Sequence, residues 1–353
     1  MRKLYLIRHA HPDFPLGTHM CLGRTDTPLG PLGRMQACLL GRALSGAGLR
    51  TVFSSPLTRC RQTAAPLGLP LVTVDALAEQ DMGPWDGLDF TRIREGWPEL
   101  YARRSSEPLL VPPGAETLEQ VRRRVMPALE SCLQNSEGDI AVAAHASVIQ
   151  AILAEVCAIP LEESRPLRPP YGSWAILDYD GSLRLQSGGI LPELPLTADL
   201  AEALLEAAAP GEQIAAHCRA VAAEALRIAR ALPLALDREL LVSAALLHDV
   251  ARSRSEHARL GAAWLRELGY DKAAGLVEQH HDLQSEELNE AAILYIADKC
   301  VQGERRVSVQ ERFAESERKC LTAEAKASHA ARLARALRIR EEIHRLCGRT
   351  VLE

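Results

Sequence analysis

Aromatic residues are scarce in this chain: Phe, Trp and Tyr together make up 4% of its 353 residues. Its cores must therefore be built from Leu, Ala, Val and Ile. No apolar run approaches the roughly 20 residues of a bilayer-spanning helix, and the run at residues 4–7 is far shorter than a signal-peptide core. No membrane segment is expected. Neither charge sign dominates: 41 Lys and Arg against 46 Asp and Glu give a formal net charge of −5. That argues against broad electrostatic binding to nucleic acid. The nine cysteines are odd in number and scattered, without a Cys-x-x-Cys pair, so reduced thiols and a cytoplasmic location are expected.

What remains is an ordinary globular composition, 47% hydrophobic and 25% charged, in a length that suits two or three domains. Histidine is unevenly spread. Of eleven, four precede residue 190, five fall between 217 and 281, and two lie in the C-terminal stretch. The two halves should therefore do different chemistry.

In the first half, strand patterns at residues 4–7, 51–55, 69–74 and 139–145 alternate with helix patterns at 31–44, from Pro56 onward, 116–133 and 147–156. A hairpin at 174–179 and 183–186 closes the half across Asp180-Gly181. Such alternation predicts a three-layer α/β, doubly wound sheet. Three strands end in polar residues: Arg8-His9, Ser54-Ser55 with Arg59 close behind, and His145. Strand ends of one polarity meet at one sheet edge, where open α/β sheets bind ligands. Taken alone, Arg8-His9 reads equally well as a solvated strand end. Two imidazoles and two guanidiniums together suit a phosphoryl group, whose oxygens match the paired donors of Arg.

The motifs resemble those of the histidine phosphatase superfamily (phosphoglycerate-mutase-like). Arg8-His9-Ala10 stands for Arg-His-Gly, and Ser54 to Ala64 matches Ser-Ser-Pro-Leu-x-Arg-x-x-Gln-Thr-Ala. Leu77 to Gly87 matches the Leu-x-Glu-x-x-x-Gly-x-Trp-Glu-Gly motif, with Asp86 for Glu, and His145-Ala146-Ser147-Val148-Ile149 stands for His-Gly-Gly-Val-Ile. Gly114-Ala115-Glu116 stands for Gly-Gly-Glu. The resemblance implies a phosphorylated nucleophile at His9, phosphoryl binding by Arg8, Arg59 and His145, and an acid/base at Glu79, with no metal. Pro12 and Pro15 replace the usual Thr and Asn, and residues 23–29 most resemble α-ribazole-phosphatase-like members. His11 and His19 read as loop residues, Trp85 as packing, and Arg122-Arg123-Arg124 as a solvated helix face.

Residues 188–195 break both patterns, which places a domain boundary there, with domains at 1–190 and 197–353 that are expected to pack together. From Thr197 the pattern is helical throughout, with Asp237 and Ser255 as N-caps and Gly269 and Gly303 as stops. His217, His248, Asp249, His257, His280, His281 and Asp298 are metal-type residues set mostly on apolar helices. A buried Asp beside a His is costly unless paired or metal-bound.

This half resembles the HD superfamily of metal-dependent phosphohydrolases, an all-α domain. The resemblance implies ligation by His217, the His248-Asp249 pair and Asp298, with His257 and His280 or His281 completing a two-metal centre. Imidazole and carboxylate ligands allow Fe, Mn, Co, Ni or Zn, as one or two ions. Lys299, Arg305 and Arg306 are candidates for substrate phosphate, with surface salt bridges as the alternative. The charged C-terminal stretch should pack on the HD core, with homodimer formation as the other role. The leading expectation is a bifunctional phosphohydrolase acting on small phosphorylated metabolites or nucleotides. The alternatives are an HD half that senses nucleotides, and a first half that is a phosphomutase.

Overall fold

The structure is a computed structural model that describes residues 1–18, 20–104, 106–318 and 320–352. His19 lies outside the described residues. The chain divides into two compact units, Met1–Leu194 and Pro195–Glu353.

The first unit runs β1 (Arg2–Arg8), β2 (Met20–Cys21), α1 (Pro31–Leu44), β3 (Leu49–Ser54), α2 (Thr58–Ala64), β4 (Leu71–Thr73) and β5 (Leu88–Asp89). It continues with α3 (Phe90–Gly96), α4 (Pro98–Arg103), α5 (Leu118–Gln134), β6 (Asp139–Ala144), α6 (Ala146–Val156), β7 (Trp174–Tyr179) and β8 (Leu183–Ile190). Six strands form one sheet in the order β4-β3-β6-β1-β7-β8. The first four are parallel, and β7 and β8 are antiparallel.

Alternation along β1 explains the three layers. Leu4 and Leu6 join Val121, Val125, Val148 and Ile152 of α5 and α6 in one core. Tyr5 and Ile7 join Leu40, Leu44, Cys60 and Ala64 of α1 and α2 in the other. Both faces are covered, so the strands are apolar throughout, as parallel strands must be.

Local chemistry sets the helix ends. Pro31 opens α1, where its missing N–H costs nothing. Thr117 and Gln120 form a capping box on α5. The helix expected from Pro56 begins at Thr58 instead, because Leu57 stays extended. Asp26 caps it from a distant loop: Thr58 N donates to Oδ1 at 2.6 Å and Thr58 Oγ1 to Oδ2 at 2.7 Å. Gly188, Gly189 and Ile190 do not break the strand but continue β8, with the irregularity taken up by register shifts against β7. The β2–β5 ribbon and helices α3 and α4 are too short to show a period, and sequence analysis passes over them.

The second unit contains α7 (Ala198–Ala208), α8 (Glu212–Ala231), α9 (Arg238–Leu247), α10 (His257–Glu267), α11 (Asp271–Glu278) and α12 (Glu290–Lys299). A small hairpin follows, β9 (Val301–Gln302) with β10 (Arg305–Arg306), then α13 (Val309–Glu317) and α14 (Ala323–Cys347). The hairpin corrects the wholly helical expectation: Gly303, at φ +60°, turns the chain back after α12. Asp237 caps α9 by accepting from Leu240 N at 3.0 Å. Ser255 does not cap α10; Glu256 takes that place at φ +50°. α14 packs on α12 and α13 and buries Ala336, Ile339 and Ile343, and Tyr295 Oη donates to Arg332 O at 3.0 Å. Among the described residues no helix is long and apolar enough to cross a membrane.

Candidate functional site

Three chain segments converge on His9 at the end of β1. The ring is 4% exposed, and its Nδ1 donates to Ala10 O at 2.8 Å. A carbonyl can only accept, so the proton sits on Nδ1 and Nε2 carries the lone pair. Burial, then the charges of Arg59 and Arg8, hold the imidazole well below its usual 6.5, in the neutral form. The His145 ring lies 5.1 Å away at the N-terminus of α6 and is kept neutral by burial and the same cations. Its Nε2 is 2.7 Å from Ser55 Oγ.

Arg59 is fully buried. Nη1 donates to Thr25 O and Nη2 to Gly23 O, each at 2.7 Å, and Nε has no partner among the described residues. Asp86 in turn accepts from Gly23 N, Arg24 N and Thr25 N at 2.7 to 2.8 Å, so it shapes the turn whose carbonyls orient the guanidinium. Only glycine fits at 23, where a Cβ would sit 2.8 Å from Gln80 O and 2.9 Å from Met82 N. Arg8 stacks on Tyr171 at 3.8 Å and donates to Pro169 O.

Glu79, 6% exposed, accepts from Gln80 N at 2.8 Å and Ser147 N at 3.4 Å. Arg124 holds the backbone on either side, donating to Ala76 O and to Glu79 O, and pairs with Glu116 at 2.6 Å. A cavity of about 520 Å³ opens over Arg8, His9 and Glu79. Tyr101, Ala102, Arg104 and residues 107–111 line it together with Trp85, Phe90, Ser147, Arg165 and Arg168.

The second cluster lies in the helical unit. Two groups have ligand atoms within 4.8 Å of one another: Asp249, His257, His280 and His281, and His217, His248 and Asp249. Asp249 belongs to both. Most of these residues sit at helix ends rather than along helices: α9 stops at Leu247, His257 opens α10, and His280 and His281 follow α11. Asp249 Oδ1 is 3.2 Å from His257 Nε2 and 3.5 Å from His280 Nε2. Burial alone would raise the Asp249 carboxyl, but these imidazoles hold it far below the usual range. Asp298 joins through His217 Nε2 at 3.2 Å and Lys299 Nζ at 2.5 Å.

The nitrogens of this cluster fit a metal. His248 and His280 donate Nδ1–H to Ala245 O and Val277 O, at 2.8 and 2.6 Å, and His217 does the same to Gly303 O at 2.9 Å. Each ring therefore offers Nε2 to the cluster, as in metal-ligating histidines oriented by a carbonyl. The Nε2 atoms of His248 and His280 are buried without a hydrogen-bond partner among the described residues. An unsatisfied buried acceptor costs about 1–3 kcal/mol, which a bound cation would remove.

Residues 4–185 match the family model of the histidine phosphatase superfamily (branch 1), just over half of the chain. The chain belongs to that superfamily. Residues 214–302 match the HD domain. A Hydrogenobacter thermophilus protein, provisionally named phosphoserine phosphatase 2, is 31% identical over 46% of this chain and 82% of its own length. A Yersinia pestis protein, provisionally named phosphoglycerate mutase GpmB, is 30% identical over 57% and 95%. The solved mycobacterial glucosyl-3-phosphoglycerate phosphatase with VO3 is 26% identical, with a TM-score of 0.50 over 54% of this chain and 99% of its own. With both domains present, this histidine phosphatase is a phosphoric ester hydrolase.

Some sequence expectations land elsewhere. Arg306 Nε pairs with Glu224 at 3.1 Å, which is the salt-bridge alternative, and Arg305 is exposed in the hairpin. Lys299 lies in the metal-type cluster. Arg124 corrects the solvated-face reading of residues 122–124, because it turns inward to Glu116, while Arg122 and Arg123 pair with Glu119 at the surface. His11 packs on Phe14 and Tyr171, and Trp85 on Trp97, though Trp85 also lines the cavity. Pro12 pairs with Leu29, and neither Pro12 nor Pro15 lines the cavity. Sequence analysis missed Arg168, Tyr171 and Arg252. Only the last had a signal, its i,i+3 spacing from Asp249, and its Nη1 lies 2.9 Å from His257 Nε2.

Proposed function

We propose that the chain carries two separate phosphohydrolase sites, and that the first works through a phosphohistidine at His9. The observation that carries this reading is the Nδ1–H bond to Ala10 O, which leaves Nε2 as the neutral nucleophile of a ring that lines the cavity. Nε2 attacks phosphorus and the bond to the leaving oxygen breaks, while protonated Glu79 supplies that oxygen's proton. Glu79 then takes a proton from water as the water oxygen attacks phosphorus, the P–N bond breaks, and inorganic phosphate leaves. Arg8 and Arg59 neutralise charge on the transferring group, and the neutral His145 ring hydrogen-bonds one of its oxygens, aided by the N-terminal amides of α6. The substrate is a small phosphomonoester; the relatives' names suggest phosphorylated amino or sugar acids. Quenched-flow mass spectrometry in EDTA tests it. An acid-labile, alkali-stable phosphate on His9 is expected, and turnover with no phosphoenzyme contradicts it.

In the second site His217, His248, His257, His280 and His281, with Asp249 and Asp298, hold one or two divalent transition-metal ions. When bound, such an ion supplies Lewis acidity and a water of lowered pKa. Asp249 joins the two ligand groups, and Lys299 anchors Asp298. A phosphate ester or nucleotide is the substrate class. Metal analysis of the purified protein should give one to two ions per chain, falling in His248→Ala and His280→Ala.

One observation favours a second reading of the first site. Tyr101, Ala102, Arg104 and residues 107–111 line one part of the cavity, and one relative is named a mutase. Retention of labelled phosphate in an isomerised product, rather than release as inorganic phosphate, would select the mutase.

A further inference from the structure

Glu79 stands on a stretch with no ladder or long helix to fix it, between short helical turns at residues 75–77 and 83–85. Among the described residues its carboxylate accepts only from main-chain groups, Gln80 N at 2.8 Å and Ser147 N at 3.4 Å. The carboxyl therefore goes where its backbone goes. A group that hands over a proton must stay within hydrogen-bond reach of the accepting oxygen, so something has to hold that backbone.

Arg124 holds it. Nη1 donates to Ala76 O, and Nη2 donates to Glu79 O at 3.2 Å. The same guanidinium meets Glu116 with two bonds, Nε to Oε1 at 2.6 Å and Nη2 to Oε2 at 2.9 Å. Glu116 then grips the other side of Glu79. Its Oε2 accepts from Asp81 N at 3.2 Å, its carbonyl accepts from Gln80 Nε2 at 2.7 Å, and its N–H donates to Asp81 O at 2.8 Å. Only a planar fork can reach two carbonyls and a carboxylate at once. The base of the clamp is rigid, because Val121 and Val125 on either side of Arg124 in α5 are packed in the core. Neither Arg124 nor Glu116 lines the cavity.

We infer that Arg124, paired with Glu116, is a positioning residue for the proton transfers of Glu79, and so sets which leaving groups the His9 site can expel. The inference rests on the phosphohistidine reading and deepens it. An alkoxide is too basic to leave without the proton of Glu79, whereas a dinitrophenolate leaves as the anion and needs none. With Glu79 displaced, His9 Nε2 still attacks the aryl ester and the P–O bond still breaks. The phosphohistidine then waits, because the same carboxyl must take the proton of the attacking water.

The test compares dinitrophenyl phosphate with the best alkyl phosphomonoester of a panel, in EDTA with the full chain. In Arg124→Gln, kcat/KM for the alkyl ester should fall about 10–100-fold, and for the aryl ester by less than about threefold. On the aryl ester kcat should fall, with a burst of about one dinitrophenolate per site as the phosphoenzyme accumulates. Arg124→Lys should recover part of the alkyl activity, since it keeps the charge without the fork. In a Glu79→Gln background Arg124→Gln should cost less than about threefold more, because the two act as a unit.

No loss in Arg124→Gln, or an equal loss of kcat/KM on both esters, overturns the inference, and so does a full additive loss in the double variant. Should Arg124→Gln not fold, Arg124→Lys and Glu116→Gln carry the same comparison, and an equal loss on both esters in them overturns it. The two readings fail separately. An alkyl-selective loss in Glu79→Gln that Arg124→Gln does not share sinks only this inference, whereas an equal loss on both esters in Glu79→Gln sinks the acid/base role of Glu79 itself.

Discussion

His9 and His145 are kept neutral by burial beside Arg8 and Arg59, and this has a consequence for stability. Unfolded imidazoles titrate near 6.5, whereas these two titrate well below it when folded. Their contribution is complete above pH 6.5 and is lost as pH falls below it, by about 1.4 kcal/mol per pH unit for each ring. Urea unfolding between pH 7.5 and 5.5 should therefore show a shallower pH slope in His145→Asn than in wild type; an unchanged slope counts against the neutral pair. The same burial keeps the His9 imidazole, the proposed nucleophile, unprotonated on the acid side of neutrality. Arg8, His9, Arg59, Glu79 and His145 were legible because strand ends and short motifs announce them. Arg168, Tyr171 and Asp86's full role were not, because they act through contacts between segments far apart in the chain.

The turn at residues 23–25 and helix α2 form one device. Asp86 holds the turn, the turn's carbonyls hold Arg59, and Asp26 caps α2 on which Arg59 sits. Asp86→Ala should free the turn and lower kcat/KM of the EDTA-resistant activity by about 10–100-fold, the range of one misplaced charged donor. Asp86→Asn, which keeps an acceptor oxygen, should recover part of it; a loss below threefold in Asp86→Ala would refute the device. Gly33 in α1 is a second close approach, since a Cβ there would lie 2.0 Å from His11 O. Gly33→Ala should destabilise by about 1–3 kcal/mol through forced backbone movement, visible as a lower melting temperature.

Element periods were read well where burial repeats over several turns: α1 matches residues 31–44 to the residue. They were read poorly where other forces decide. The late start of α2 follows from the cap that Asp26 supplies by accepting from Thr58, and α9 and α11 end just before His248-Asp249 and His280-His281 of the second cluster rather than at stop residues. α3 and α4 are too short to announce themselves, yet they carry Phe90, Tyr101 and the approach to Arg104.

The chain carries two clusters of different make-up, one of neutral histidines beside arginines, the other of histidines and two aspartates in which, among the described residues, His248 and His280 bury unpartnered Nε2 atoms. The second should depend on its ion for stability as well as for activity. Added Mn, Co, Ni, Zn or ferrous ion should raise the melting temperature of the metal-stripped protein, by about 2.7 kcal/mol of binding linkage at a hundredfold excess over Kd. His280→Ala and His281→Ala should each weaken that shift, and a shift that survives both would remove them from the ligand set.

The claim that the two sites are independent is tested most directly by one assay. Wild type, His9→Ala and His248→Ala are compared on a panel of phosphomonoesters and nucleotides, each with and without EDTA. His9→Ala should abolish the EDTA-resistant phosphatase activity and spare the metal-dependent activity, and His248→Ala should do the reverse. Loss of both activities in either variant would contradict the account.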